Sequence, residues 1–127
     1  MEIEVIDGEF SVCKVDGSYP VDARRPFTFL SLTDQESSLV CPTERVPENT
    51  LKREDGWSLL RVVGPLDFSL IGILARIAAV LAEAGISIFA ISTFDTDYLM
   101  VKQDTLQTAE KALRAHGYAL RSRKGKE

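Results

Sequence analysis

A chain of 127 residues has room for one ordinary domain or two small ones, and at that length roughly two thirds of the unfolded surface can be buried. Hydrophobic residues make up 45% and charged residues 27%, which excludes a disordered or fibrous chain. The net charge of -4 excludes a broad phosphate-binding face, because such a face displaces counterions with clustered Lys and Arg.

No run reaches the ~20 apolar residues of a membrane span, since Arg76 and Glu83 break the longest candidate. Met1-Glu2-Ile3-Glu4 has neither the basic start nor the apolar segment of a signal peptide. A cytoplasmic location is therefore expected, with no membrane partner. Basic residues gather from Arg121 to Lys126 without an apolar partner in their pattern, so residues 122–127 read as a solvated, disordered tail and not as a nucleic-acid contact. Cys13 and Cys41 share no CxxC spacing and the single histidine is His116, a set that gives no metal site and no cofactor; the cysteines read as buried free thiols.

In chain order, alternation and composition predict strands over Glu9–Val15 (EFSVCKV), Phe27–Leu32 (FTFLSL) and Ser37–Cys41 (SSLVC), with one helical turn at Thr43–Arg45. The second half opens with the strand WSLLRVV from Trp57, too apolar on both faces for an exposed edge. A helix is predicted from about Phe68 to Ala84. Leu70, Ile73, Leu74, Ile77, Val80, Leu81 and Ala84 form one face, and Gly72, Arg76, Ala79 and Glu83 the other. Asp67 is placed as its N-cap, with Leu66 packing on Ile71 as a hydrophobic staple. Gly85 supplies a left-handed stop that sets Ile86 against Leu81. A strand over Ile86–Phe94, a turn at Asp95-Thr96-Asp97, a strand over Tyr98–Lys102, a helix opened by Asp104 and closed by Gly117, and a strand over Tyr118–Leu120 complete the half.

This order, βαββαβ, predicts an α+β, ferredoxin-like unit with sheet order 4-1-3-2 and both helices on one face. FLSLTDQESSLVC and AISTFDTDYLMV share a strand, an aspartate-bearing turn and a second strand, so the first half reads as a worn copy nearly without helices. The expected division is residues 1–55 for that degenerate half, 56–121 for the complete unit and 122–127 for the tail.

A helix crosses between the first two strands of the second half, so they run parallel and their following loops emerge at one end. Asp67 and Ser69 thereby share an edge with Asp95, Thr96 and Asp97. A helix N-terminus there presents free N–H groups to a carboxylate, and aspartates suit an ammonium or guanidinium, which together match the two charged ends of an amino acid. Ordinary roles stand beside this one: Asp67 as a helix cap, and Asp95 and Asp97 as turn residues. Catalysis finds no support, because no Ser-His-Asp or Cys-His set can be assembled, and glycine-rich phosphate loops are missing.

The run GPLDFSLIGILARIAAVLAEAGISIFAISTFDTDYLMVK resembles the ACT domain, in particular the small bacterial tandem-ACT proteins, to which the arginine sensors called CASTOR look related. The resemblance covers about Gly56 to Leu120 and, more loosely, VCPTERVP. It implies a degenerate ACT-like N-terminal half followed by a complete ACT domain, and a regulatory fold that binds small molecules, usually amino acids, between ACT units. It also implies ligand contacts at Gly64, Pro65, Leu66, Asp67, Phe68 and Ser69, faced by the strand-two wall that includes Ile88, Phe89, Ala90 and Thr93. With the edge argument this gives a non-enzymatic homodimeric sensor whose ligand also meets Asp95 and Asp97. The competing expectation is a protein-interaction and dimerisation module with no small-molecule ligand.

Overall fold

The structure, a computed structural model, describes residues 1–17, 24–63 and 72–123. Its strands are β1 (Glu2–Val15), β2 (Phe29–Leu32), β3 (Ser37–Pro42), β4 (Lys52–Val62), β5 (Phe89–Ser92), β6 (Asp97–Lys102) and β7 (Ala119–Arg123). Its helices are α1 (Ile73–Glu83) and α2 (Leu106–Ala115), and 3-10 turns cover Thr43–Arg45 and Gln103–Thr105. The chain forms two compact units, Met1–Asp7 with Ser58–Glu127, and Gly8–Trp57, so β1 and β4 each lend one end to both.

In the helix-bearing unit the strand order is β7-β1-β4-β6-β5. The sequence places β7 directly beside β4; instead the start of β1 lies between them. Glu2–Ile6 pairs in parallel with Ala119–Arg123, the Val63 N–H donates to the Glu2 carbonyl at 2.9 Å, and the Ala119 N–H to the Met1 carbonyl at 3.1 Å. Ser122 and Arg123 therefore belong to β7 and not to a tail. The α1 and α2 helices cover one face, where Ile3, Leu60, Val62, Leu99 and Val101 meet Ile73, Ile77, Leu81 and Leu113. Each such side chain taken from water contributes roughly 1.5–3 kcal/mol.

The C-terminus of α1 follows its local code. The Ile86 N–H donates to the Leu81 carbonyl and the Gly85 N–H to the Ala82 carbonyl, both at 2.9 Å, with Gly85 at φ +78°. The same pair of bonds closes α2 at Gly117, where the Tyr118 N–H reaches the Leu113 carbonyl at 3.1 Å. A Cβ on Gly85 would meet nothing within 4 Å, so Gly85→Ala isolates the left-handed backbone strain. It is expected to lower stability by about 1–2 kcal/mol, read by thermal denaturation.

The other unit, Gly8–Trp57, has the order β2-β3-β1-β4, which is that of a βαββαβ unit stripped of its helices among the described residues. The repeat holds in register. Phe29↔Val40 and Leu32↔Ser37 in the first hairpin become Phe89↔Met100 and Ser92↔Asp97 in the second, each 60 positions later (89 − 29). FSVCKV from Phe10 answers WSLLRV from Trp57, 47 positions later (57 − 10). The first copy is thus 13 residues shorter between these strands (60 − 47), close to the 11 residues of α1. Its core of Cys13, Val15, Leu39 and Cys41 occupies the positions of Leu60, Val62, Leu99 and Val101 in the second copy.

Several boundaries move. The first strand starts at Glu2 and not Glu9, β4 starts at Lys52 and not Trp57, and the expected Ile86–Phe94 strand contracts to Phe89–Ser92. Asp104 lies in the 3-10 turn before α2, where the Thr105 hydroxyl donates to the Lys102 carbonyl at 2.8 Å.

Candidate functional site

β4 ends at Val62, and the predicted site loop follows. Gly64, Pro65, Leu66, Asp67, Phe68 and Ser69 lie outside the described residues, as does Ile71, the proposed partner of Leu66. The chain returns at Gly72 with φ +80°, a left-handed conformation that cannot continue a right-handed helix. Helix α1 therefore opens at Ile73, five residues later than the predicted Phe68 (73 − 68), and its N-cap position is Gly72, not Asp67. Among the described residues no side chain caps it. The first intrahelical bond runs from the Arg76 N–H to the Gly72 carbonyl at 2.9 Å, which leaves the N–H groups of Ile73, Leu74 and Ala75 without an acceptor inside the helix.

The β5–β6 turn stands beside the end of β4. The Thr96 hydroxyl donates to the Val62 carbonyl, joining the turn to the last residue of β4. The Thr93 N–H and hydroxyl both donate to the Thr96 carbonyl, at 2.9 and 3.0 Å, and brace the turn from within. Across the hairpin the Ser92 hydroxyl donates to Asp97 Oδ1 at 2.5 Å. Asp95 stands exposed at the tip. A direct hydrogen bond thus holds the turn and the β4 exit at one edge.

The strand-two residues divide. Ile88 packs against the core beneath the helices, Ala90 is exposed opposite Leu99, and Phe89 pairs with Met100. Alternation along a strand sends Phe89 to the face opposite Ile88 and Ala90. One residue escaped the sequence reading. Phe94 at the turn tip is 87% exposed. Its counterpart in the first copy is Asp34, where the same bond from the Thr33 N–H to the Glu36 carbonyl forms at 2.9 Å. The turn folds without a phenyl group, so the fold does not require Phe94; an apolar residue at a polar turn was the available signal. Asp95 and Asp97 likewise stand where the first copy has Gln35 and Ser37, so both carboxylates are peculiar to the second copy.

The helix-free face of the same unit carries a charged row across four strands. Arg61 donates to Glu4 Oε1 through Nη2 at 2.8 Å and Nε at 3.2 Å, and lies 6.0 Å from the centre of the Tyr98 ring. Arg121 reaches Glu2 at 3.0 Å and Glu4 at 3.8 Å. Burial acts to lower the Arg61 pKa, but the hydrogen bonds to Tyr98 and Glu4 outweigh it and hold the guanidinium above its ordinary value.

Among the described residues no group of three or more His, Cys, Asp or Glu could hold a metal ion, and no helix is long and apolar enough to cross a membrane. Cys13 and Cys41 are free and buried. Burial, and then the neighbouring Cys41, push the Cys13 thiol up to about 11; burial also raises Cys41. At pH 8 about one Cys13 in a thousand is ionised, so alkylation of the native protein is expected to be slow and to accelerate sharply in denaturant. Equal rates in both states would contradict this placement.

A family model described as ACT domain matches residues 52–115. The human protein named "Cytosolic arginine sensor for mTORC1 subunit 1" is 32% identical over 112 residues, which is 83% of this chain and 34% of that protein. The chain spans about a third of the length of such relatives. A solved structure from Agrobacterium tumefaciens aligns with TM-score 0.86 at 28% identity, covering 97% of this chain and 93% of that one. The regulatory subunit of aspartate kinase from Thermus thermophilus aligns with TM-score 0.58 at 10% identity, covering 86% and 91%, and shows likeness of fold alone.

Proposed function

The chain belongs to the ACT domain family, and from that premise we propose that it is a non-enzymatic regulatory sensor that binds an amino acid at the edge formed by the β4 exit and the β5–β6 turn. The observation that carries this reading is the Thr96–Val62 hydrogen bond, which brings an acidic turn to the strand end from which the chain leads to α1, whose first N–H groups have no acceptor inside the helix. A ligand carboxylate would take those donors, and a cationic group would take Asp95 and Asp97. The relative named as an arginine sensor supports an amino acid, and the two carboxylates favour one with a cationic side chain.

In this reading residues 1–55 hold the degenerate ACT copy, apart from the segment β1 lends to the other unit, and 56–121 the complete domain. Gly64 to Ser69, Ile88, Phe89, Ala90 and Thr93 complete the ligand surroundings. The protein acts in the cytoplasm, as the word cytosolic in its relative's name supports, and as a homodimer. A thermal-shift screen of the common amino acids tests the proposal, since a ligand at a hundred times its Kd stabilises by roughly 2.7 kcal/mol. A screen with no shift for any of them overturns it and leaves the dimerisation module.

A further inference from the structure

Cys13 and Cys41 share no motif spacing, yet the sheet makes them neighbours. Cys13 pairs with Leu39 and Ser11 with Cys41, so the two thiols lie on one face of adjacent strands, diagonally placed and in one buried cluster. Each is 2% exposed. The fold does not ask for sulfur there. Val15 and Leu39 of this cluster answer Val62 and Leu99 of the second copy, aliphatic for aliphatic, whereas Leu60 and Val101 are both answered by cysteine.

Positive charge collects around the pair. Arg45, in the 3-10 turn that follows β3, stands where the second copy has Thr105. Its Nε is buried and has no acceptor among the described residues. Its Nη2 donates to the Pro26 carbonyl at a long 3.4 Å, and its Nη1 lies 3.8 Å from Glu44. Arg53 is the second cation. Asp55 holds it through Nε at 3.1 Å and Nη2 at 3.3 Å, and in turn accepts from the hydroxyl of Ser11, the residue opposite Cys41. Both guanidinium groups favour the Cys41 thiolate against the burial that opposes it. A buried donor without a partner calls for an acceptor, and a thiolate accepts far better than a thiol.

Three chemistries compete for two neighbouring thiols. A disulfide needs Cβ atoms about 3.5–4.5 Å apart, and diagonal neighbours on a sheet stand about 7–8 Å apart with Cβ atoms only somewhat closer. Zinc takes four ligands, and no group of three or more His, Cys, Asp or Glu is found among the described residues to hold it. Cu(I), a soft monovalent ion, takes two thiolates in a line, filling a gap too wide for a bond between the sulfurs.

We propose that Cys13 and Cys41 form a two-coordinate site for Cu(I), whose bis-thiolate complex is held by Arg45 and Arg53. Two S–H bonds break, their protons leave to solvent, and two Cu–S bonds form with no change of oxidation state. The complex carries one negative charge, and Arg45 Nε gains the acceptor it lacks. Burial excludes water and competing thiols from the seated ion. The inference does not rest on the amino-acid reading, so either can fail alone.

Anaerobic titration of the full-length protein with Cu(I), against an excess of a chromophoric Cu(I) chelator, tests it. One Cu(I) per chain is expected to stay with the protein, and X-ray absorption at the copper edge to show two sulfur ligands. Cys13→Leu with Cys41→Val, which installs the residues of the second copy, should keep the circular dichroism spectrum and lose the metal. Cys41→Ala alone should do the same. Arg45→Gln should weaken retention by about tenfold to a hundredfold, whereas Arg114→Gln, on the exposed face of α2, should leave it unchanged. A wild-type chain that yields all its copper to the chelator overturns the proposal. So would retention by the cysteine double variant, a third ligand at the metal, one ion shared between two chains, or an Arg45→Gln protein that binds like wild type.

Discussion

Asp95→Ala is expected to reduce stabilisation by the amino-acid ligand from roughly 2.7 to roughly 0.4 kcal/mol at a ligand concentration of a hundred times the wild-type Kd, with the unliganded protein unchanged. The first figure is the linkage value at that concentration. The second follows if the carboxylate makes a charge-assisted hydrogen bond to the ligand and its loss weakens binding about a hundredfold. Asp95 is exposed and no hydrogen bond to it is found among the described residues, so its removal should move unliganded stability by less than about 0.5 kcal/mol. Asp97→Ala differs, because it also breaks the bond from Ser92 and should lower stability as well as binding. Thermal melts of both variants with and without ligand read the two effects separately. An Asp95→Ala protein that melts early yet keeps its full ligand shift would make the residue a structural turn element and remove it from the site.

Glu4→Ala carries the largest expected effect on stability. Its side chain is only 10% exposed and holds two hydrogen bonds from Arg61, with Arg121 beyond. Removing the carboxylate leaves the half-buried Arg61 guanidinium with much less compensation, and breaking such a pair costs about 3 kcal/mol, toward the low end for buried pairs because Arg61 still reaches solvent. For a domain of this size that is a fall in Tm of roughly 10 °C. Glu4→Ala with Arg61→Met should lose less than the sum of the single variants, since methionine needs no counter-charge. Strict additivity in that cycle would mean that the ion pair contributes nothing of its own.

What could be read from the sequence was whatever neighbours in the chain decide. The Gly85–Ile86 ending of α1, the 3-10 turn at Thr43–Arg45 and the hairpin before Lys102 each depend on residues within a few positions, and each stands where the pattern puts it. The start of α1 misled because Asp67 and Leu66 offer an ordinary capping pattern, while the left-handed state of Gly72 carries no mark that separates it from a tolerated mid-helix glycine. Residues 2–7 were passed over because their partners, β7 and the end of β4, lie far along the chain. Topology set the β5–β6 turn beside the end of β4, which the Thr96–Val62 bond joins, whereas Asp67 and Ser69 lie outside the described residues. The role of Thr96 in tying the turn to Val62 could not be read, because a threonine in a turn does not reveal where its hydroxyl points.

The parallel pairing of Glu2–Ile6 with Ala119–Arg123 has a consequence for biosynthesis. Glu2–Ile6 is made before, and its neighbour Ala119–Arg123 after, every other element of this unit, so the unit closes only once both helices and the strands between them have left the ribosome. Until then the apolar side chains of β1 have no finished core to enter, and during that interval they are a natural target for the chaperones that attend emerging polypeptides.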